Sequence, residues 1–286
     1  MELIDDPAAF STRTGTWRAD GLTVGFHPTM GALHAGHAAN LRLARAQNDR
    51  VAVSIFVNPL QFGPAEDFDR YPRPLEADLA ACEREGVDAV WAPSVAQMYP
   101  PGLELPTPDP GPVGATFEGA SRPGHFAGVL KVVHRLFDVA GPCRAYFGEK
   151  DAQQLFLVRR MVVTENLQVE IVVCPTVREP DGLAVSSRNA YLSPEERREA
   201  PCLFLGLAEA AERARAGERD ARVLVAVIAR EVGATPMARL DYAAVVDEAT
   251  FEPIDVLDRP ARAIVAARFA SARLIDDLLL PSAAPG

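Results

Sequence analysis

The sequence predicts an α/β fold built on a parallel sheet, with a second, smaller α+β domain towards the C-terminus. Short apolar runs alternate with segments of helical spacing through the first part of the chain. Strand, helix and strand in succession form the unit of a parallel sheet. Beyond residue 195 the composition changes to Ala- and Arg-rich helices followed by further strands. We place the boundary after residue 175, which defines domains 1–175 and 176–286.

Spacing and length assign the individual elements in chain order. Apolar runs predict strands at 22–26, 51–58, 87–91, 144–148 and 169–174, and helical spacing predicts helices at 37–47, 75–85, 129–139 and directly after Gly148. The C-terminal domain is predicted to have helices at 195–216 and 221–232 and strands at 240–246 and 263–267. Residues 92–123 form a long Pro- and Gly-rich loop, and Arg122, Gly124 and His125 near its end favour a lid.

Composition and charge restrict the class of partner. The 286 residues are 48% hydrophobic and 24% charged, with a formal net charge of -10. Nucleic-acid binding depends on clustered Lys and Arg, so we expect no nucleic acid as the main partner. The N-terminus MELIDDPAAF is acidic where a secretory signal is positively charged, and no run of about 18 apolar residues occurs. We therefore expect a soluble cytoplasmic protein without a membrane partner.

The cysteines suggest no special chemistry. Cys82, Cys143, Cys174 and Cys202 are far apart, and no two are spaced as CxxC. Neither a disulfide framework nor a zinc ribbon is therefore indicated. We expect reduced thiols in the core.

The stretch PTMGALHAGH, residues 28–37, is the strongest candidate for a ligand site. It follows an apolar strand and opens a helix, so its backbone N–H groups and the positive helix end suit a phosphate chain. His34 and His37, in the spacing His-x-Gly-His, could both face triphosphate oxygens. Two alternatives remain open at this point: a helix cap with a surface residue, or half of a zinc site.

Three more polar stretches follow predicted strands. NPLQFGPAEDFDRYPR follows the strand at 51–58, and EKDAQQ follows the strand at 144–148. In open α/β sheets ligands bind outside the carboxyl ends of strands, although a surface connection and a solvated helix start are the plainer alternatives. Ser186, Ser187 and Arg188 offer hydroxyl donors and a forked cation to phosphate. Ser193, with Glu196 three residues later, predicts a capping box.

Five long stretches, in one order, carry a family resemblance. They are PTMGALHAGH, SIFVNPLQFGPAEDFDRYPR, RPGHFAGV, YFGEKDAQQL and DGLAVSSRNAYL, and weaker similarity continues to ARLID near the end. Together they resemble the pantoate–β-alanine ligase family, the pantothenate synthetases. The His-x-Gly-His spacing alone marks only the wider nucleotidyltransferase superfamily, which includes class I aminoacyl-tRNA synthetases.

The resemblance implies a Rossmann-like first domain, a C-terminal domain that covers the site, and a homodimer that uses ATP and Mg²⁺. It implies condensation of (R)-pantoate with β-alanine through a pantoyl adenylate, with release of AMP and pyrophosphate. The catalytic residues would be His34, His37, Lys150 and Arg188, with His37 as proton donor. The ATP-binding residues would be Met30, Gly31, Ala32, Leu33, His34, Ala35, Gly36, His37, Gly148, Glu149, Lys150, Asp151, Val177, Val185, Ser186, Ser187 and Arg188. Gln61 and Gln154 would bind pantoate, and Gln61 also β-alanine; no metal ligand is indicated.

The chain departs from the family pattern at five positions, none of them an implied site residue. His27 stands where the family usually has an apolar residue, and Ala38 replaces a larger apolar residue. Near the end, Ala270, Ala272 and Asp277 replace the usual Gly, Thr and Asn. Two rival functions remain: an adenylyltransferase that keeps AMP in its product, and a non-catalytic nucleotide-binding protein. Retention of His34, His37, Lys150 and Arg188 together argues against the second rival.

Overall fold

The computed structural model describes residues 1–64 and 66–281. The chain forms two compact units. The first comprises Met1–Glu149 and Gln153–Pro175, and the second comprises Lys150–Ala152 together with the chain from Thr176 onwards.

The first unit is built on a six-stranded sheet in which every observed pairing is parallel. Its strands are β1 (Glu2–Ile4), β2 (Val24–Thr29), β3 (Arg50–Ile55), β4 (Ala89–Trp91), β5 (Cys143–Gly148) and β6 (Val169–Cys174). Their order is β1-β4-β3-β2-β5-β6, so β2 and β5 flank the point where the chain reverses direction across the sheet. Ligands bind at such a point in open α/β sheets. The predicted Rossmann-like parallel sheet is thus confirmed.

Helices connect these strands. They are α1 (Pro7–Ala19), α2 (Ala35–Gln47), α3 (Leu75–Arg84), α4 (Val95–Met98), α5 (Glu118–Ser121), α6 (His125–Ala140) and α7 (Ala152–Thr164). Helix α6 is the most deeply packed, because apolar residues at helical spacing, such as Val129, Leu130 and Val133, are buried along it. It begins after Gly124, whose φ of 84° is in the left-handed region that glycine adopts readily.

The second unit is a small α+β structure. Helices α8 (Pro194–Glu199), α9 (Cys202–Arg215) and α10 (Ala221–Gly233) precede the antiparallel strands β7 (Arg239–Asp247), β8 (Ala261–Arg268) and β9 (Arg273–Leu280). Leu203 and Leu207 of α9, Leu224 and Ile228 of α10, and Val265 of β8 belong to one buried cluster. The helices and the sheet therefore share one apolar core.

Several elements differ from the prediction. Strand β1, helix α1 and strand β9 were not predicted, and residues 92–123 contain α4, α5 and a short 3₁₀ turn instead of an unbroken loop. The helix predicted at 195–216 is two helices, since it is interrupted at Ala200 and Pro201. Proline lacks the N–H that a continuous helix requires.

Two adjacent aspartates explain why β9 was missed. Asp276 and Asp277 interrupt its apolar pattern, yet both are buried. Arg178 binds the Asp276 carboxylate through two hydrogen bonds of 2.6 and 3.0 Å, and Arg262 on β8 pairs with Asp277. Removing one partner of such a buried pair is costly, because an uncompensated charge remains. Asp277, one of the departures from the family pattern, is compatible with the fold because it is the counter-ion of a buried arginine.

All four cysteines are free, and three of them are buried while Cys143 is partly exposed.

Within residues 1–64 and 66–281, no helix has both the length and the apolar character that crossing a bilayer requires.

Helix α6 packs directly against the 3₁₀ turn Pro59–Gln61, and this contact generates a prediction. A Cβ atom on Gly128 would lie 2.1 Å from the carbonyl oxygen of Leu60. Gly128→Ala should therefore lower the free energy of unfolding by about 1–3 kcal/mol, as overpacking does. Gly15→Ala on α1 is the matched control, because its nearest neighbour would be the Arg18 guanidinium at 3.9 Å. The control should gain about 0.5–1 kcal/mol. Equal denaturation midpoints for the two variants would contradict the predicted overpacking at Gly128.

Candidate active site

The turn between β2 and α2 is held by its two histidines. Helix α2 begins at Ala35, two residues earlier than predicted, with His34 as its N-cap. The backbone N–H of Gly36 donates to His34 Nδ1 at 3.1 Å, and the N–H of His34 donates to His37 Nδ1 at 3.2 Å. Because each Nδ1 accepts a hydrogen bond, each neutral ring carries its proton on Nε2. The ring centroids lie 4.0 Å apart.

These contacts bear on the alternatives left open by the sequence. The histidines do form a helix cap, and the cap leaves each ring with an Nε2–H donor. Among the residues that the structure describes, no group of three or more His, Cys, Asp or Glu side chains could hold a metal ion. The half-zinc-site interpretation is therefore not supported.

Asp78 on α3 anchors the same turn, and sequence reasoning missed it. Its carboxylate, 2% exposed, accepts hydrogen bonds from the backbone N–H groups of Ala32 at 2.9 Å and Leu33 at 2.7 Å. Gly31 and Ala32 have φ values of 76° and 51°, so two successive residues adopt left-handed conformations. Such a backbone forms a concavity that binds anions. Here the carboxylate of Asp78, a side chain of the protein itself, occupies this concavity.

The occupied concavity changes the expected mode of phosphate binding. The N–H of Gly31 donates to Thr29 Oγ1 at 3.1 Å, and those of Ala32, Leu33, His34 and Gly36 also have partners within the protein. The expectation that backbone N–H groups of this turn face a ligand is therefore not met for these five residues. Side chains and the helix end remain to bind an anion there.

His27 is buried on β2 next to this pair. Its Nδ1 lies 2.8 Å from the carbonyl oxygen of Tyr146 on β5, so Nδ1 carries the proton and donates. Its Nε2 is buried without a hydrogen-bond partner among the described residues, and its ring centroid lies 5.7 Å from that of His37. Burial lowers the pKa of His27 from 6.5 to about 4, although the hydrogen bond to the Tyr146 carbonyl acts in the opposite direction. His27, one of the departures from the family pattern, is therefore a neutral imidazole buried next to the His34–His37 pair.

Gln61 is the last residue of the 3₁₀ turn Pro59–Gln61, which follows β3. Its Oε1 accepts from Asn58 Nδ2 at 3.2 Å, and its Nε2 donates to Met30 Sδ at 3.0 Å. Asn58 also donates to the carbonyl oxygen of Gly128, and its Oδ1 accepts from Tyr99 Oη. The structure thus brings Gln61 and Met30, two implied site residues, into direct contact and fixes the orientation of the Gln61 amide.

Arg122 and His125 both contact the backbone carbonyl oxygen of Gln61. His125 Nδ1 donates to the carbonyl oxygen of Gln61 at 2.8 Å, and His125 Nε2 accepts from Arg122 Nη1 at 3.0 Å. Burial, followed by the nearby charge of Arg122, lowers the pKa of His125 from 6.5 to about 4. Arg122 also donates two hydrogen bonds to Glu66, at 2.9 and 2.6 Å. The sequence marked these residues as a possible lid and assigned them no ligand.

At the end of β5, the residues after Gly148 differ in accessibility. The N–H of Glu149 donates to the carbonyl oxygen of Cys174, and Lys150 and Asp151 precede α7 instead of lying within it. Gln154 is half-buried, whereas Gln153 is buried and binds Glu118, Val113 and Thr116. Gln154 is therefore available to a ligand, and Gln153 is structural.

The second unit contains the remaining implied residues. The N–H of Val185 donates to the carbonyl oxygen of Val177 at 2.9 Å, so these two residues are neighbours. Ser186 caps the 3₁₀ turn Ser187–Tyr191, because its hydroxyl accepts from the N–H of Arg188. The capping box predicted for Ser193 and Glu196 is confirmed.

Ala38, another departure, lines a cavity of about 310 Å³ between α2 and α3. Leu33, His34 and Leu41 also line it, with Arg84 and Glu85 of α3 and its C-cap. A small side chain at position 38 thus leaves space beside the histidine turn.

The anchoring of the turn predicts a defined response to Asp78→Asn. One carboxamide oxygen replaces two carboxylate acceptors, and the new NH₂ group opposes a backbone N–H. We expect a loss of about 1–3 kcal/mol in the free energy of unfolding and faster amide exchange at Ala32 and Leu33. Asp138→Asn, which changes an exposed carboxylate paired with Arg135, should stay within about 0.5 kcal/mol of the parent. Unchanged exchange at both amides would refute the anchor.

The buried His27 predicts a pH dependence of stability. Because its pKa is about 4 when folded and near 6.5 when unfolded, the unfolded chain binds the proton first as pH falls. His27 therefore costs stability progressively from pH 6.5 down to 4. His27→Val should show a smaller fall of Tm over that interval than the parent. His134→Gln, at a partly exposed position on α6, is the comparison variant, and a parallel fall in all three proteins would contradict the assignment.

Comparison with known proteins shows which family the chain belongs to. A sequence model described as pantoate-beta-alanine ligase matches residues 2–279. A pantothenate synthetase of Rubrobacter xylanophilus is 51% identical and covers 98% of each chain, and one of Roseiflexus castenholzii is 53% identical over 90% of this chain and 92% of its own.

Solved structures give the same result. A pantothenate synthetase of Thermus thermophilus superposes with a TM-score of 0.91 at 48% identity, covering 98% of this chain and 100% of its own. A pantoate-beta-alanine ligase of Francisella tularensis, complexed with beta-gamma ATP and beta-alanine, gives 0.78 at 33% identity, covering 98% and 97%. The family match, the identities over nearly the whole chain and the shared fold lead to one conclusion: this chain belongs to the pantoate–β-alanine ligase family.

Proposed function

We propose that this protein condenses (R)-pantoate with β-alanine to form pantothenate, using ATP and passing through a pantoyl adenylate. The observation that carries the proposal is the His34–His37 pair at the start of α2, beside the point where the strand order reverses. Family membership and the ligands of the Francisella relative, an ATP compound and β-alanine, support it.

The chemistry requires activation of the acid. A carboxylate oxygen of pantoate attacks the α-phosphorus of ATP, and the bond to the pyrophosphate oxygen breaks. The amine of β-alanine then attacks the acyl carbon, the bond to AMP breaks, and the amine loses a proton to solvent. Charge develops on phosphate oxygens, so the protein acts by positioning and electrostatic stabilisation. No covalent enzyme nucleophile is needed.

The histidine tautomers fit this role. His34 and His37 each accept at Nδ1 and so present an Nε2–H donor, which suits contact with phosphate oxygens. In His37 that N–H would be the proton donor implied by the resemblance. Lys150 and Arg188 would supply positive charge, and Ser186 and Ser187 would supply hydroxyl donors.

The two glutamines proposed to bind pantoate differ in how firmly their side chains are held. Gln61 and Gln154 would hold pantoate, because an amide offers a donor and an acceptor to a molecule with hydroxyls and a carboxylate. Gln61 is already oriented by Asn58 and Met30, so binding there would cost little side-chain ordering. The half-buried Gln154 would be ordered by the ligand itself.

Mg²⁺ would enter with the nucleotide. It usually keeps several waters and binds through substrate phosphates and one or two carboxylates, so a dedicated protein cage is unnecessary. Among the described residues no group of three or more His, Cys, Asp or Glu side chains could hold a metal ion, so the phosphates would have to supply most of its ligands. Bound Mg²⁺ would neutralise charge on the phosphates. We further propose a cytoplasmic homodimer, on the family resemblance.

The decisive experiment omits one substrate. With ATP, Mg²⁺ and pantoate but no β-alanine, we expect a burst of about one pyrophosphate per site with little free AMP, because a closed site protects the adenylate from water. Adding β-alanine should release AMP in step with pantothenate. His37→Ala should reduce the burst rate about 10²-fold or more while the protein stays folded.

Two outcomes would contradict the proposal. A product that retains AMP would identify an adenylyltransferase, and absence of pyrophosphate release with pantoate would remove the ligase function. Gln61→Ala and Gln154→Ala should each raise the pantoate concentration needed for the burst. Unchanged pantoate dependence in both would remove the glutamine assignment and leave the overall reaction intact.

A further inference from the structure

The ion pair between Arg122 and Glu66 lies beside Gln61 and has no role in the reaction described so far. Both side chains are largely buried, with exposed fractions of 16% for Arg122 and 23% for Glu66. Nε and Nη2 of the guanidinium donate to the two carboxylate oxygens at 2.9 and 2.6 Å. This is the paired geometry in which arginine binds a carboxylate most specifically.

The guanidinium is held in place by contacts other than Glu66. Nη1 donates to His125 Nε2, and Nη2 also lies 3.3 Å from the carbonyl oxygen of Gln61. His125 donates from Nδ1 to that same carbonyl, so its neutral tautomer is determined and it adds no charge of its own. The edge of Arg122 that carries Nε and Nη2 is therefore preorganised to receive a carboxylate.

Glu66 is the more replaceable partner. It lies on the chain segment that follows Gln61, where its N–H donates to the carbonyl oxygen of Gly63 in a short turn. Burial opposes its ionisation, but the hydrogen bonds and charge of Arg122 hold the pKa of Glu66 below its usual range. Exchange of one carboxylate for another on Arg122 conserves the local charge, so the burial penalty of an unpaired ion does not arise.

The proposed reaction leaves one charge without a partner. The pantoate carboxylate is consumed in the adenylate, whereas the carboxylate of β-alanine remains ionised throughout. Gln61 contributes an amide to that substrate, and an amide does not neutralise charge. Lys150 and Arg188 are assigned to phosphate. A cation close to Gln61 would supply that partner, and Arg122 is within hydrogen-bond distance of the Gln61 carbonyl oxygen.

We propose that Arg122 binds the carboxylate of β-alanine, and that Glu66 occupies this position until the substrate displaces it. The inference rests on the proposed function. Anchored there, β-alanine presents its amine, two methylene groups away, to the acyl carbon of the adenylate. The new C–N bond replaces the C–O bond to AMP, and Arg122 takes no part in the proton transfer. Arg122 is thus the residue that selects an amino acid over a simple amine.

The test compares β-alanine with 3-aminopropanamide, which has the same length and amine but no carboxylate. The parent enzyme should strongly prefer β-alanine. Arg122→Gln should raise the KM for β-alanine about 10²-fold and abolish the preference, because the charged partner is gone. Its pantoate-dependent pyrophosphate burst should be preserved, since β-alanine is absent from that step. A general structural defect would instead lower the rates with both amines and the pyrophosphate burst to the same extent.

Arg42→Gln is the matched control. Arg42 also makes two hydrogen bonds to one glutamate, Glu85, at 2.8 and 2.6 Å, but its side chain is 66% exposed. This variant should keep the parent's burst and its preference. Glu66→Gln removes the competing carboxylate, so its KM for β-alanine should fall severalfold.

Arg122→Gln with an undiminished preference for β-alanine over the amide would overturn the inference, as would a raised KM for β-alanine in Glu66→Gln. Failure of the proposed function has a different signature: the parent enzyme itself would release no pyrophosphate from ATP and pantoate. The two failures are therefore distinguishable in one set of assays.

Discussion

Two hydrogen bonds to one buried carboxylate determine the geometry of the histidine turn. Asp78 accepts from the N–H groups of Ala32 and Leu33 and so stabilises the left-handed residues Gly31 and Ala32. The turn then leaves the end of β2 and enters α2 with His34 and His37 in reciprocal contact. An internal anion thus occupies the backbone concavity, while hydrogen bonds within the turn position the His34 and His37 side chains. Those side chains are held before any ligand arrives.

Buried neutral histidines recur in the first unit, and each one joins two elements. His27 connects β2 to β5 through the Tyr146 carbonyl, and His125 connects α6 to the turn that carries Gln61. In both cases the hydrogen-bond partner determines the tautomer. Burial lowers the pKa of both rings to about 4, so neither adds charge at neutral pH. His27 and His125 therefore act as neutral hydrogen-bonding groups that join elements of the first unit.

The sequence by itself determined the fold class and the family, and it located the candidate ligand motifs. Hydrophobic spacing placed five of the six parallel strands near their observed positions, because a strand buried on both faces has a continuous apolar run. It placed the end of β2 too early, since Pro28 and Thr29 interrupt that run yet belong to the strand. The short β1 has too few residues for any periodicity to be visible.

Only the tertiary structure decided how the site is supported. Asp78 is distant in sequence from the turn that it anchors, and Glu66 and Arg122 are 56 positions apart, with α3, β4, α4 and α5 between them. Spacing reports which face of an element a residue occupies, but it carries no information about which distant element packs there. For the same reason, the sequence showed that His34 and His37 are paired, while their tautomers followed from hydrogen bonds that exist only once the turn is folded.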